Sequence, residues 1–230
     1  MKTAKVSEIF LSHQGEGPYA SSRQLFIRFY GCDRTCIFCD TMPENYKTFT
    51  KDSLMGNVLD FDDDYNELVL TGGEPLLFVD FLEDFLKLFR DYRKNRVYLE
   101  TNGTSHDALD RVIDMVDIVS MDFKLPSSTE ALDDVWPAHE KFARIAEKKE
   151  LIIKAVITGN TIIDDIKRMG AVLKGLKSAP DIVLQPVTSA SGGVKEADEE
   201  IMLYFKRYLE KETQMDVMIL GQIHKCLGIK

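Results

Sequence analysis

The stretch Leu25-Phe26-Ile27-Arg28-Phe29-Tyr30-Gly31-Cys32-Asp33-Arg34-Thr35-Cys36-Ile37-Phe38-Cys39-Asp40-Thr41 decides how this chain is read. Its first half is rich in β-branched and aromatic residues and stops at a glycine, which predicts a strand over Gln24–Tyr30. Its second half sets Cys32, Cys36 and Cys39 in a C-x3-C-x2-C array on a tight loop. Thiolates packed this closely repel one another unless a metal centre absorbs their charge. A 4Fe–4S cluster held fully by protein takes four cysteines, so three leave one iron with an open position. Open coordination is the mark of a catalytic metal rather than a structural one. The competing reading is a structural zinc site completed by His13 or Cys226. Zinc sites more often pair two C-x2-C hairpins, and no second pair occurs here.

Beyond this loop the chain alternates short apolar runs with longer amphipathic stretches. Further strands are predicted at Glu67–Leu70, Arg96–Glu100, Ile118–Phe123, Leu151–Ile157 and Ile182–Gln185, with a last short one near Met215–Leu220. Helices are predicted at Val79–Lys94, His106–Val116, Glu130–Lys149, Ile162–Lys177 and Glu196–Glu212. Parallel neighbours need long return connections, so this rhythm predicts an α/β fold. The expected form is a partial, open β/α barrel of about six parallel strands. Met42 to Asn66, with Pro43, Gly56 and an acidic run at Asp60–Asp64, suits a standard crossover helix poorly. One domain over 1–230 is expected, with a substrate segment at 1–24, a core at 25–190 and an extension at 191–230.

In barrels of this kind catalytic groups collect beyond the carboxyl ends of the strands. Cys32, Gly72 and Gly73, Thr101 and Asn102, Asp122 and Lys124, and Gln185 all fall there, and are expected to share one rim. In Leu70-Thr71-Gly72-Gly73-Glu74-Pro75, two glycines let backbone approach a ligand with no Cβ in the way, and Glu74 adds negative charge. Several candidates also have plainer readings. Arg28 is able to pair with a structural carboxylate, Gln14-Gly15-Glu16-Gly17 to form an ordinary turn, and Asp122 and Lys124 to face solvent. Cys226 reads as a packed free thiol and Trp136 as filling.

Composition narrows the function classes. Apolar residues make up 44%, an ordinary globular share. No apolar run approaches the roughly 20 residues that span a bilayer, and the N-terminus does not read as a signal peptide. A cytoplasmic protein without a membrane partner is expected. The net charge of −9 disfavours nucleic-acid binding through a basic face. Four cysteines exclude a disulfide scaffold.

The cysteine spacing, with the aromatic Phe38 before the last cysteine, resembles the signature of the radical S-adenosylmethionine (SAM) superfamily, and the Gly72-Gly73 turn resembles its glycine-rich motif. The likeness covers roughly Leu25 to Gln185. It implies that the cofactor's amino and carboxylate groups chelate the open iron, and that a 5′-deoxyadenosyl radical does the chemistry with no side chain as acid or base. The expected cofactor contacts are Phe38, Asp40, Gly72, Gly73, Glu74, Thr101, Asn102, Asp122, Lys124 and Gln185.

Gln14-Gly15-Glu16-Gly17, Arg28 four residues before Cys32, Cys39-Asp40-Thr41 and Gln222-Ile223-His224-Lys225 occur together. That combination resembles the 7-carboxy-7-deazaguanine synthase family of queuosine and 7-deazapurine biosynthesis. The likeness implies conversion of 6-carboxy-5,6,7,8-tetrahydropterin by hydrogen abstraction at C6, ring contraction and ammonia loss, with Mg²⁺ held by Thr41. It implies substrate contacts from His13, Gln14, Gly15, Glu16, Arg28, Thr71, His224 and Lys230. Polar groups such as Gln14 and Glu16 suit the guanine-like edge of a pterin, and Arg28 suits its carboxylate. A flavodoxin or ferredoxin as reductant and a homodimer are further expectations. Two other classes share the triplet: an activase that installs a glycyl radical on a partner enzyme, and a non-catalytic metal-binding module.

Overall fold

The computed structural model describes residues 2–39, 43–62, 64–130, 133–188 and 193–222. In chain order they form β1 (Thr3–His13), β2 (Arg23–Phe29), β3 (Lys47–Thr50), α1 (Lys51–Leu59), β4 (Glu67–Gly72), α2 (Val79–Tyr92), β5 (Arg96–Thr101) and α3 (His106–Val112). Then come β6 (Ile118–Asp122), α4 (Pro126–Thr129), α5 (Trp136–Ala146), β7 (Glu150–Ile157), α6 (Ile163–Lys174), β8 (Asp181–Pro186), α7 (Glu199–Thr213) and β9 (Val217–Ile219). The strands make one nine-stranded sheet in the order β3-β1-β2-β4-β5-β6-β7-β8-β9. From β2 to β9 neighbours run parallel. β1 lies antiparallel to both β2 and β3.

The expected strands are all present, and the barrel is open. The sheet is wider than the expected six strands, because β9 continues the parallel run and β1 and β3 extend the other edge. Met42 to Asn66 does carry a short helix. α1 begins with a capping box in which Thr50 and Ser53 satisfy each other's backbone N–H groups, and β3 just before it turns back onto β1. Of the helix expected over Glu130–Lys149, α5 covers Trp136–Ala146, and the four-residue α4 lies before the expected range. Pro126 stands in the first turn of α4 and Pro137 in the first turn of α5, where the missing N–H costs nothing. Between them Glu130 takes left-handed φ of 57°.

Both faces of a parallel sheet are covered, so its strands carry two apolar patterns at once. The outward set includes Ile27, Leu70, Leu99, Met121, Ile153 and Leu184, and packs on the helices through residues such as Phe81, Phe85, Phe142, Leu173 and Phe205. The concave face is layered. An apolar belt of Phe26, Val69, Tyr98, Ile118, Ile152 and Val183 crosses it. Two residues earlier along their strands lie polar Gln24, Glu67, Arg96 and Glu150; two residues later lie Arg28, Thr71, Glu100, Ser120, Lys154 and Gln185. Because side chains alternate with period two, this later row faces the same side as the belt and makes the floor of a polar cavity.

The β1–β2 connection crosses this concave face. Tyr19 packs edge-on against Tyr98, donates to Glu150 Oε1 at 2.5 Å and accepts from Arg96 Nη1 at 2.7 Å. Glu16 reaches Lys154 on β7. The chain's first loop thus closes the lower side of the space that the strand ends leave open.

Candidate active site

A cavity of about 1120 Å³ opens at the carboxyl ends of the strands. Single small-molecule sites usually occupy roughly 300–1,000 Å³, so it has room for more than one ligand. Cys32, Cys36, Phe38 and Cys39 line it beside Gly72, Gly73, Thr101, Asn102, Asp122, Lys124 and Gln185. His13, Gln14, Gly15, Glu16, Arg28 and Thr71 line it too. Glu74 is buried behind this wall. Asp40, Thr41, His224 and Lys230, with Cys226, lie outside the described residues.

The cysteine loop is positioned by its neighbours. Gly31, at φ 94°, turns the chain out of β2. The amide of Cys39 donates to Cys36 O at 3.0 Å, and Arg34 N donates to Cys32 Sγ at 3.4 Å. Asn102 Nδ2 donates to Asp33 Oδ1 at 2.7 Å and reaches Cys32 Sγ at 3.9 Å, which ties the loop to the end of β5. All three cysteines are free thiols. Burial pushes the Cys36 thiol up to about 11 and that of Cys32 upward as well. Ligating thiolates there need the positive charge of a metal centre to form. Among the described residues no three His, Cys, Asp or Glu side chains converge as a single-ion site requires; the three thiols instead border the wide cavity.

The glycine turn is a close approach of two backbones. A Cβ on Gly73 would sit 1.9 Å from Gly31 O, and one on Gly72 2.3 Å from Phe29 O. Glu74 N donates to Gly31 O at 2.9 Å. The fully buried Glu74 carboxylate accepts from Leu76 N, Asn102 N and Thr101 Oγ1 at 3.1, 2.8 and 2.9 Å. Burial pushes this carboxyl up to about 7, against the pull of those donors. Its place is therefore a brace that joins the turn to the end of β5.

Three polar atoms left without hydrogen bonds point to a polar ligand. Asp122 Oδ1, Gln185 Oε1 and Arg34 Nη2 are buried and make no hydrogen bond, and all three residues line the cavity. Native proteins seldom leave such atoms orphaned. The other Asp122 oxygen accepts from Lys124 Nζ at 2.8 Å, and Lys124 lies over the Phe38 ring, 5.5 Å from its centre. His139, beneath this wall, has its Nε2 3.2 Å from Asn102 O and its Nδ1 unpartnered; burial lowers its pKa to about 4 and keeps it neutral.

On the other side of the cavity, Gln14 is folded inward. Its Nε2 donates to Gln24 Oε1 at 3.1 Å and to Glu100 Oε1 at 3.0 Å, while its oxygen accepts from Gly15 N and Glu16 N. This is more than an ordinary turn, and it makes the Gln14 side chain a fixture of the loop. Thr71 donates to Glu100 Oε2 at 2.6 Å. Arg28 pairs with Glu8 through Nε at 3.1 Å and lies over the Phe10 ring. Both of its readings therefore hold together: it has a structural partner and it faces the cavity. Asp122 is buried and Lys124 faces the cavity, so the solvent-facing alternative fails for both.

Reading the sequence alone missed Glu100, Lys154 and Arg34, all of which line the cavity. The signal for the first two is register: each stands two residues beyond a member of the apolar belt, Tyr98 or Ile152.

Comparison with known proteins agrees with this geometry. The radical SAM superfamily matches residues 26–155. The chain is 34% identical to 7-carboxy-7-deazaguanine synthase of Geobacter sulfurreducens, over 98% of this chain and 97% of that one. It is 28% identical to the protein of the same name from Methanothermobacter thermautotrophicus, over 99% and 98%. Its fold matches the crystal structure of QueE from Escherichia coli with a TM-score of 0.62 at 17% identity, covering 95% and 94% of the two chains. A full-length relative above 30% identity and a superfamily match over more than half the sequence place this chain in the radical SAM superfamily and, within it, in the 7-carboxy-7-deazaguanine synthase family.

Proposed function

We propose that this enzyme converts 6-carboxy-5,6,7,8-tetrahydropterin to 7-carboxy-7-deazaguanine. The observation that carries the reading is one cavity with the cysteine loop on one wall and, facing it, a fixed polar row from Glu16 to Thr71. As a radical SAM protein the chain uses a 4Fe–4S cluster and SAM. When bound, these supply hydrogen-atom abstraction, a step beyond any side chain here. Cys32, Cys36 and Cys39 hold the cluster. The orphaned Asp122 and Gln185 oxygens accept from SAM, Gly72 and Gly73 offer it bare backbone, and Glu74, Thr101 and Asn102 keep that wall in shape. Phe38, Asp40 and Lys124 complete the cofactor side.

The substrate contacts are His13, Gln14, Gly15, Glu16, Arg28 and Thr71, together with His224 and Lys230. Arg28 offers its two terminal nitrogens to the substrate carboxylate while Glu8 holds its Nε. Glu16 and Glu100 accept N–H groups from the pterin edge, in addition to the partners each already has within the protein. Thr41 would supply its hydroxyl to a Mg²⁺ ion, a hard cation that suits oxygen ligands. A small electron donor such as flavodoxin or ferredoxin feeds the cluster, and the chain works as a cytoplasmic homodimer. We assign 1–24 to the substrate, 25–190 to the core and 191–230 to a C-terminal extension, within one domain.

The test is an anaerobic assay of reconstituted protein with dithionite, SAM, Mg²⁺ and carboxytetrahydropterin, read by mass spectrometry. The expected result is deazapurine formed with no protein partner present, and none from Cys36→Ala. Deoxyadenosine without deazapurine would reject this substrate and bring forward the glycyl-radical activase. Unchanged activity after rigorous chelation would remove Thr41's role.

A further inference from the structure

Lys154 has no role in the assignment above, yet it occupies the middle of the cavity floor. It stands on β7 between buried Ile153 and Ala155, two residues beyond Ile152 of the apolar belt. Its ammonium lies 2.6 Å from Glu16 Oε2 and 3.7 Å from Asp122 Oδ2, and only 19% of the side chain is exposed. Asp122 is also its register partner on β6. The other oxygen of Glu16 accepts from Gln222 Nε2 at 2.7 Å. The Asp122 oxygen that faces Lys154 is the one already held by Lys124 at 2.8 Å. Glu100 adds a third negative charge nearby, and Lys124 opposes as a like charge.

This arrangement is costly, because moving an ammonium into a largely dry wall forfeits hydration that a single ion pair does not reliably recover. A methionine would fill the same space between apolar neighbours without that cost. What the lysine alone provides is a link between two walls. Glu16 belongs to the loop after β1, on the substrate side; Asp122 ends β6, on the cofactor side. One cation joins them. Glu16 Oε2 faces Lys154 and its Oε1 faces Gln222, so both ends of the Glu16 carboxylate are fixed in direction.

We propose that Lys154 is a positioning residue: it aims the Glu16 carboxylate at the pterin edge and anchors it to Asp122, so that substrate and SAM are held in one alignment. This rests on the pterin reading given above.

The experiment compares reconstituted wild type, Lys154→Met, Lys154→Arg, Glu16→Gln and the double variant Glu16→Gln/Lys154→Met. Three quantities are read: equilibrium binding of 6-carboxypterin by its fluorescence, KM for carboxytetrahydropterin, and deoxyadenosine released per deazapurine. A hydrogen bond to a charged group corresponds to roughly 10- to 100-fold in binding. Lys154→Met is therefore expected to weaken 6-carboxypterin by about 30-fold, raise KM and release excess deoxyadenosine, with Lys154→Arg recovering part of the loss. Because Lys154 acts through Glu16, the double variant should match Glu16→Gln within about twofold.

Losses that multiply in the double variant would overturn the proposal, as would Lys154→Met binding like wild type. If Lys154→Met alone does not fold, the double variant, which leaves no lone charge on that contact, is compared with Glu16→Gln and decides the matter. A wild-type protein that neither binds 6-carboxypterin nor makes deazapurine would end the functional reading and this one with it. Wild-type turnover with an unaltered Lys154→Met would end this one alone.

Discussion

Replacing Gly73 by alanine tests the site's construction most directly. The added Cβ would stand 1.9 Å from Gly31 O and 2.4 Å from Gly31 C, so the two backbones must part by at least about 1.1 Å to reach 3.0 Å. Both partners of the clash are main chain, and no side-chain rotation relieves it. The separation stretches two hydrogen bonds, Glu74 N to Gly31 O at 2.9 Å and Gly73 N to Phe29 O at 3.1 Å. At about 1 kcal/mol for each bond, plus about 1–3 kcal/mol for overpacking, the loss is about 3–5 kcal/mol. In a chain of this size each kcal/mol corresponds to about 2–4 °C in Tm, so Gly73→Ala should melt roughly 10 °C lower. Cys32 follows Gly31 directly, so the reconstituted variant should also hold less than half the wild-type iron. Circular dichroism of the apoprotein and iron analysis read the two effects. A Tm within about 1 °C of wild type, with full iron content, would refute the reasoning.

Gly56 provides the opposite case: it is exposed inside α1, and a Cβ there meets nothing within 4 Å. Gly56→Ala should raise stability by about 0.5–1 kcal/mol in urea denaturation, and a decrease would contradict the α1 assignment. His139 is held neutral in the fold, so its contribution is complete above about pH 6.5 and drains away as pH falls toward 4. Wild type should lose about 2 kcal/mol more than His139→Gln between pH 7 and pH 5; parallel pH profiles would disprove this. Glu100→Ala frees Thr71 Oγ1 and one N–H of Gln14. It should raise KM for the pterin at least about tenfold while leaving iron content unchanged, and an unaltered KM would remove Glu100 from the substrate wall.

The parallel strands were legible because each is a short β-branched run followed by a helical stretch, and their carboxyl ends carry the polar residues. β3 and α1 were not, since Pro43, Gly56 and the acidic run mask a four-residue strand and a nine-residue helix. The late start of α5, at Trp136 rather than Glu130, had a visible sign in Pro137, whose preference for the first turn marks where the helix begins. In the site, cysteines and glycines announce themselves through spacing. Glu100 and Lys154 do not, because a lone charge between apolar residues carries no hint of which face it joins until neighbouring strands fix the register. Gln14 adds what residue type alone does not show: the side chain expected to read a ligand lines the cavity and is also held by Gln24, Glu100 and the Gly15 and Glu16 amides.

The hydrogen bond between Glu16 and Gln222 spans 206 positions of the chain. During synthesis the cysteine loop emerges early, and the cavity-lining strand ends follow in order from β4 to β8. Gln222, which also accepts from Thr188 at 2.6 Å, comes last. The contact that fixes Oε1 of Glu16 therefore forms only after β9 has been made, so the first loop of the chain is not fully held until nearly all of the sheet exists.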